Sequence, residues 1–343
     1  MSTLCDGVGV SVPSEVPAAA PEEPDAAPVP EPRPRSWGAV IGRIILVLAS
    51  LLAIYLLVQR VDFADLWQRL RDTDPGWLAV ALLASILPIV GSAAGFLAFA
   101  PGRLPFGQLT LVQLATSFVN LITPASAGGL ALNVRYLTRR NIPLAVAMAV
   151  VGLVQTTAVL VTVVLVIVLL LVSGRSLSHT PNVPWILLLI VAAVVLLALV
   201  ALRFWPRGQE LAYRYVLKPF REAGPQLRNI VTDPRRLALA AAGHVTVTLG
   251  FVAVLGAALE AFDESAPLIL LAVVVIAGSA IGGAAPAGGV GAAEAALFSG
   301  LSTIGVDPTA ALSAAVLFRV ITFWIRVPIG WLALIVLRRQ GAV

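Results

Sequence analysis

From about residue 38 onward the chain alternates long apolar runs with short charged connections. The runs are continuous rather than alternating, so they predict helices and not the strands of a barrel. Several exceed the roughly 18 residues that mark a membrane-spanning helix. Spans are predicted at about 38–58, 77–100, 143–172, 185–204, 237–259 and 308–337, the second interrupted by Pro88 and Gly91. Two further apolar runs, about 106–122 and 266–283, end at breaks rich in proline and glycine.

Those breaks resemble each other. The first holds Pro124, Gly128 and Gly129 and is followed by a short helix and then by Pro143, which opens a long span. The second holds Pro286, Gly288 and Gly289, then a short helix, then Pro308 opening a long span. Each long span carries a polar residue at matched depth, Gln155 twelve residues past its proline and Arg319 eleven past its own. At about 1.5 Å per residue both lie roughly 16–18 Å in, near the bilayer centre.

Basic residues cluster at the ends of apolar runs, as the positive-inside rule expects. Arg135, Arg139 and Arg140 follow the first break, which returns that short helix to the inside. An acidic loop with Glu260, Asp263 and Glu264 precedes the second break, and Arg338 and Arg339 close the last span. The second short helix is therefore expected to return to the outside. The pattern predicts an all-α polytopic membrane protein. It has about six to eight spans, two re-entrant hairpins in an inverted repeat, and both termini in the cytoplasm. Paired interrupted helices in two inverted halves are the sequence pointer to a transporter-like site at the midplane. The count rises to eight or more if each hairpin is instead two full spans.

Composition agrees. The chain is 59% hydrophobic and 12% charged, against about 25% charged in soluble domains. A formal charge of +5 spread over span ends is not a nucleic-acid signature. Cys5 is the only cysteine, so no internal disulfide is expected. Two histidines, His179 and His244, are too few for a histidine-rich metal site. No Walker A, HExxH or GxSxG sequence occurs, so no cofactor, metal or enzymatic activity is expected. Residues 1–36, dense in Pro, Glu and Ala, predict a disordered cytoplasmic tail and not a signal peptide. Residues 37–339 form the membrane domain. Within it, the basic connection 205–236 carries Tyr213, Val216, Leu217 and Phe220 at helical spacing. That suits a helix lying on the membrane surface or a plain cytoplasmic loop.

The chemistry concentrates at the second break. Glu294 lies in the first turns after it, and Arg319 and Arg326 lie in the last span. Ionisable residues at membrane depth are expensive and mark functional sites by default. Arginine is also the usual planar grip for phosphate. Arg326 lies seven residues past Arg319 and is expected on roughly the same helix face. A break also exposes amides at the start of the following helix, where a phosphate or carboxylate is favoured. The candidate substrate-binding set is Glu294, Arg319, Arg326, Gly288, Gly289, Gly128, Gly129, Asn120, Thr123 and Gln155. The plain alternatives stay open. The Glu–Arg pair, the glycine pairs and the small polar residues can each serve helix packing alone, and His244 reads as a packing residue.

Residues 124–137 (PASAGGLALNVRYL), 286–297 (PAGGVGAAEAAL), Gly305-Val306 and Leu317-Phe318-Arg319 are similar to the transmembrane, flippase-like domain of lysylphosphatidylglycerol synthases. The resemblance covers about residues 40–338. It implies movement of aminoacylated phosphatidylglycerol or other lipids between leaflets, with Glu294 and Arg319 as motif residues. The sequence ends four residues after Arg339, so the aminoacyl-transferring domain is not expected, nor synthase activity. The second motif opens Ala285-Pro286-Ala287 where a Pro-Thr-Pro-Gly type of run is usual for the family, so its break geometry is open. The leading expectation is a lipid translocase of the cytoplasmic membrane that binds anionic headgroups. The alternatives are a carrier for polyprenyl-phosphate-linked sugars, or a non-transporting accessory that docks a cytoplasmic lipid-modifying enzyme. A homo-oligomer is compatible with each.

Overall fold

Aspartate followed by proline starts three of the long helices. In a computed structural model of the chain, the Asp74 side chain accepts from Gly76 N at 2.8 Å and opens α1 (Pro75–Ala84). Asp233 accepts from Arg235 N at 2.9 Å and opens α6 (Pro234–Glu260). Asp307 accepts from Thr309 N at 2.9 Å and Ala310 N at 3.1 Å and opens α9 (Pro308–Arg319). The carboxylate satisfies amides that the first turn leaves without partners, and proline at the first position loses nothing there. The expected spans at about 77 and 237 thus begin two or three residues earlier, at their caps.

The structure describes residues 74–123, 127–173, 223–224, 227–228, 230–284 and 291–343. The tail, the expected spans at about 38–58 and 185–204, most of the 205–236 connection and both break tips lie outside the described residues. Every regular element among the described residues is helical. The others are α2 (Ile86–Phe99), α3 (Phe106–Ile122), α4 (Ala127–Thr138), α5 (Leu144–Ser173), α7 (Leu268–Ala284), α8 (Ala292–Thr303) and α10 (Arg326–Arg339). A π-helical turn, Val320–Trp324, joins α9 to α10.

Four stretches are long and apolar enough to cross a bilayer: Pro75–Phe99, Leu144–Leu169, Pro234–Glu260 and Pro308–Arg339. They present a broad apolar exterior that includes Leu83, Val159, Leu160, Leu171 and Leu249. A water-soluble fold rarely exposes so continuous an apolar surface. The α1–α2 span breaks at Ser85 rather than at Pro88 or Gly91. Pro88 has no N–H to offer the preceding turn, so the bend falls just before it. Gly91 sits inside regular helix and serves a contact: a Cβ there meets Gly243 O of α6 at 2.5 Å. The reciprocal Cβ on Gly243 meets Gly91 O at 2.7 Å, so the two backbones touch. This is the closest kind of helix approach, available to glycine alone.

The two breaks yield helix pairs of matching length. α3 and α7 each have 17 residues, and α4 and α8 each have 12. Twelve residues rise about 18 Å, well short of a hydrocarbon core of about 30 Å. Neighbours repeat between the halves: α3 packs on α4 as α7 packs on α8, α2 on α3 as α6 on α7, and α2 and α6 pack on each other. Two cores form, one around Phe96, Phe99, Tyr136 and Val150 that also takes in Leu334 and Leu337 of α10, the other around Leu255, Leu271, Leu297 and Phe318.

Charge is divided between the two ends of the bundle. Arg140 hydrogen-bonds Gln108, whose Nε2 donates to Gln340 Oε1 at 3.2 Å. The start of α3, the end of α4 and the end of α10 therefore meet. Arg236 donates to Ala100 O at 3.3 Å, which brings the start of α6 to the end of α2. This end is basic. The ends of the same spans away from it carry Asp74, Glu260, Asp263, Glu264 and Asp307.

Candidate functional site

Glu294 and Arg319 form the pair anticipated from the sequence. Arg319 Nε donates to Glu294 Oε1 at 2.9 Å. Glu294 is 5% exposed. Its second oxygen, Oε2, accepts from Gly291 N at 2.7 Å. Gly291 takes φ 84°, a conformation glycine adopts at little cost, and this turns the chain into α8. One carboxylate thus closes the second break and faces a guanidinium from the last span. The Arg319 guanidinium also lies over the Phe323 ring, 4.4 Å from its centroid, a cation–π contact.

A cavity of about 270 Å³ opens beside this pair. Arg319, Phe323 and Thr322 line it from the last span, Gly282 and Ser279 from α7, and Asn120 from the end of α3. Residues next to both breaks therefore converge on one space. Phe251 of α6 closes another side and packs against Phe318 with ring centroids 6.0 Å apart.

The first break is tied within its own hairpin. Asn120 Oδ1 accepts from Gly129 N at 2.8 Å, and Thr123 Oγ1 accepts from Gly128 N at 3.1 Å. A Cβ on Gly129 meets Asn120 Oδ1 at 2.5 Å, so the hairpin closes only around glycine. Asn133 continues the chain of bonds: its Nδ2 donates to Gly129 O at 3.0 Å, and its Oδ1 accepts from Gln113 Nε2 at 3.2 Å.

These bonds change the chemistry expected at the helix starts. The amides of Gly128, Gly129 and Gly291 are each taken by a side chain of the protein, so none of the three is vacant for a phosphate. Two further expectations change. Arg326 does not share a face with Arg319. The π turn between them holds more residues per turn than an α-helix, and Ile325 N accordingly donates to Val320 O, five residues back, at 2.9 Å. Seven residues then fall about a quarter-turn short of two full turns. Arg326 is 8% exposed, bonds Ser85 O at the bend of the α1–α2 span, and lies 5.6 Å from the Phe251 ring centroid. Gln155 is exposed on α5 and lines neither cavity beside the hairpins. Gly288 and Gly289 lie outside the described residues.

The sequence reading missed Gln113, Asn133, Phe251 and Phe323. Asn133 sits inside the first motif, and a buried carboxamide one helical turn past Gly129 was a signal. Phe251 and Phe323 look like any apolar residue of their spans. No group of His, Cys, Asp and Glu suited to a metal ion occurs among the described residues.

No curated protein matches the chain. Residues 40–330 match the lysylphosphatidylglycerol synthase TM region, most of the chain and every described element but the last turns of α10. This helical membrane protein, with a buried Glu–Arg pair beside two broken hairpins, belongs to the lysylphosphatidylglycerol synthase TM region family.

Proposed function

We propose that the chain is a lipid translocase of flippase or scramblase type in the cytoplasmic membrane, acting on phospholipid or aminoacyl-phospholipid. One observation carries the reading: the cavity on which both hairpins converge has a guanidinium in its wall, in a fold whose exterior is hydrocarbon-like. A lipid phosphate entering that cavity competes with Glu294 for Arg319, at a site where a charge-assisted, bidentate bond is strong. On this reading α3–α4 and α7–α8 are re-entrant hairpins from opposite faces, the basic end is cytoplasmic, and both termini are inside. The protein transports rather than catalyses. Its partners are anionic lipid headgroups, and movement is downhill or ion-coupled, with Glu294 as the proton-coupling group. The test is leaflet exchange of fluorescent phosphatidylglycerol in vesicles holding purified protein. Wild type is expected to exchange lipid, and Glu294→Gln and Arg319→Ala to lose exchange while retaining the fold. Wild-type protein that moves no lipid under any gradient sinks the proposal.

A further inference from the structure

A second cavity, also of about 270 Å³, lies between α5, α6 and α7. It shares two wall residues, Phe251 and Ser279, with the cavity at Arg319, so the two are adjoining chambers. Each alone is near the lower limit of roughly 300 Å³ for a ligand pocket. Their linings differ. The first carries a guanidinium. Among the described residues the second carries no charged side chain; its polar groups are Thr162, His244, Thr248 and Ser279.

The hydroxyl protons of Thr162 and Thr248 are already committed. Thr162 Oγ1 donates to Ala158 O at 2.9 Å, and Thr248 Oγ1 to His244 O at 3.3 Å. A hydroxyl oxygen that donates still accepts, so both threonines offer acceptors to the chamber. His244 Nε2 is buried with no hydrogen-bond partner among the described residues. That nitrogen packs toward α2, where a Cβ on Gly95 would meet it in ordinary contact at 3.5 Å, so the chamber's acceptors are the two threonines. The chamber therefore matches a group rich in hydroxyls and without charge. A cationic group finds acceptors there but, among the described residues, no carboxylate to compensate its burial.

We infer that the second chamber holds an uncharged, hydroxyl-rich headgroup joined to a phosphate gripped at Arg319, so that the preferred lipid is a polyol or sugar phosphodiester rather than an aminoacylated one. This rests on the translocation reading only for its use of Arg319 as the phosphate grip. The same chemistry is presented by a phosphatidylglycerol-type lipid and by a polyprenyl-phosphate-linked sugar.

Equilibrium binding separates this inference from transport. Chain-labelled phosphatidic acid, phosphatidylglycerol and lysyl-phosphatidylglycerol are titrated against purified full-length protein in detergent, as are polyprenyl phosphate and its hexosyl derivative. The polyol or sugar lipid is expected to bind at least about fivefold tighter than the bare phosphate on the same tail, the worth of one hydrogen bond. Which tail series shows that ratio identifies the source. The lysylated lipid is expected to bind more weakly than its parent. Combined Thr162→Val and Thr248→Val, near-isosteric changes that remove the acceptors, are expected to bring the ratio toward one. Arg319→Ala is expected to weaken every lipid and leave the ratio in place. A wild-type ratio of one in both series overturns the inference, as does tighter binding of the lysylated lipid or a ratio the threonine changes leave intact. A wild-type ratio without leaflet exchange refutes translocation and leaves the headgroup chamber standing.

Discussion

Glu294 does two things at once. Oε2 holds the Gly291 amide at the break, and Oε1 faces Arg319 across 2.9 Å. Glutamine keeps an acceptor for the amide but removes the charge. Breaking a buried pair by neutralising one partner costs about 3–5 kcal/mol, because the other charge stays buried. Glu294→Gln and Arg319→Gln are each expected to lower the melting temperature in detergent, and the double change to lower it by clearly less than the sum. A strictly additive double change would mean that the two side chains do not act as a pair. At the first break the constraint is steric rather than electrostatic. Gly129→Ala drives a methyl into Asn120 at 2.5 Å and is expected to cost about 1–3 kcal/mol, the usual penalty for overpacking. Gly107→Ala, where a Cβ meets nothing within 4 Å, is the control expected to melt as wild type does.

Among the elements, the aspartate-proline caps and the glycine contact carry the sharpest expectations. Asp307→Ala removes the acceptor for two first-turn amides of α9. Loss of such a cap costs about 1 kcal/mol, and the change is expected to show as faster hydrogen exchange confined to the start of α9. Uniform protection along that helix in the variant would remove the cap from the account. Gly243→Leu separates α6 from α2, whose backbones touch at Gly91 and Gly243, and is expected to abolish the folded species rather than merely weaken it. The π turn decides where the two guanidinium groups of the last span go. By turning Arg326 off the Arg319 face it sends one guanidinium to the cavity wall and the other to Ser85 O at the bend of the α1–α2 span.

For the molecule as a whole, the division of charge sets a testable orientation. Arg140, Arg236, Arg338 and Arg339 belong to one end, and Asp74, Asp263 and Asp307 to the other. Cys5 is the only native cysteine, so a cysteine-free background needs one change. Asp263→Cys is expected to react with a membrane-impermeant maleimide added to intact cells, and Gln340→Cys only after permeabilisation. The reverse pattern would overturn the proposed orientation, and with it the faces proposed for the two hairpins.

Among the described residues, the long apolar runs and the helix pairs flanking the two proline-glycine breaks were legible because a span must satisfy a fixed bilayer thickness, which a linear count reveals. So was the Glu294–Arg319 pair, since two opposite charges within hydrocarbon have little choice but to meet. Other features depended on geometry that no spacing rule carries. Arg326 lies on a different face because five residues adopt a π turn, and nothing in Val320–Trp324 distinguishes that from regular helix. The amides at Gly128, Gly129 and Gly291 found their acceptors in Thr123, Asn120 and Glu294 only once the hairpins had closed. Sequence alone therefore determined four of the segments apolar enough to span and the position of the two proline-glycine interruptions, through hydrophobic length and backbone chemistry, but not the bend at Ser85. Tertiary structure alone decided that residues flanking both breaks border one cavity, that Phe251 stands between it and a second chamber with no charged side chain among the described residues, and which guanidinium lines its wall. Those are matters of packing between segments up to about two hundred residues apart, and local periodicity holds no record of them.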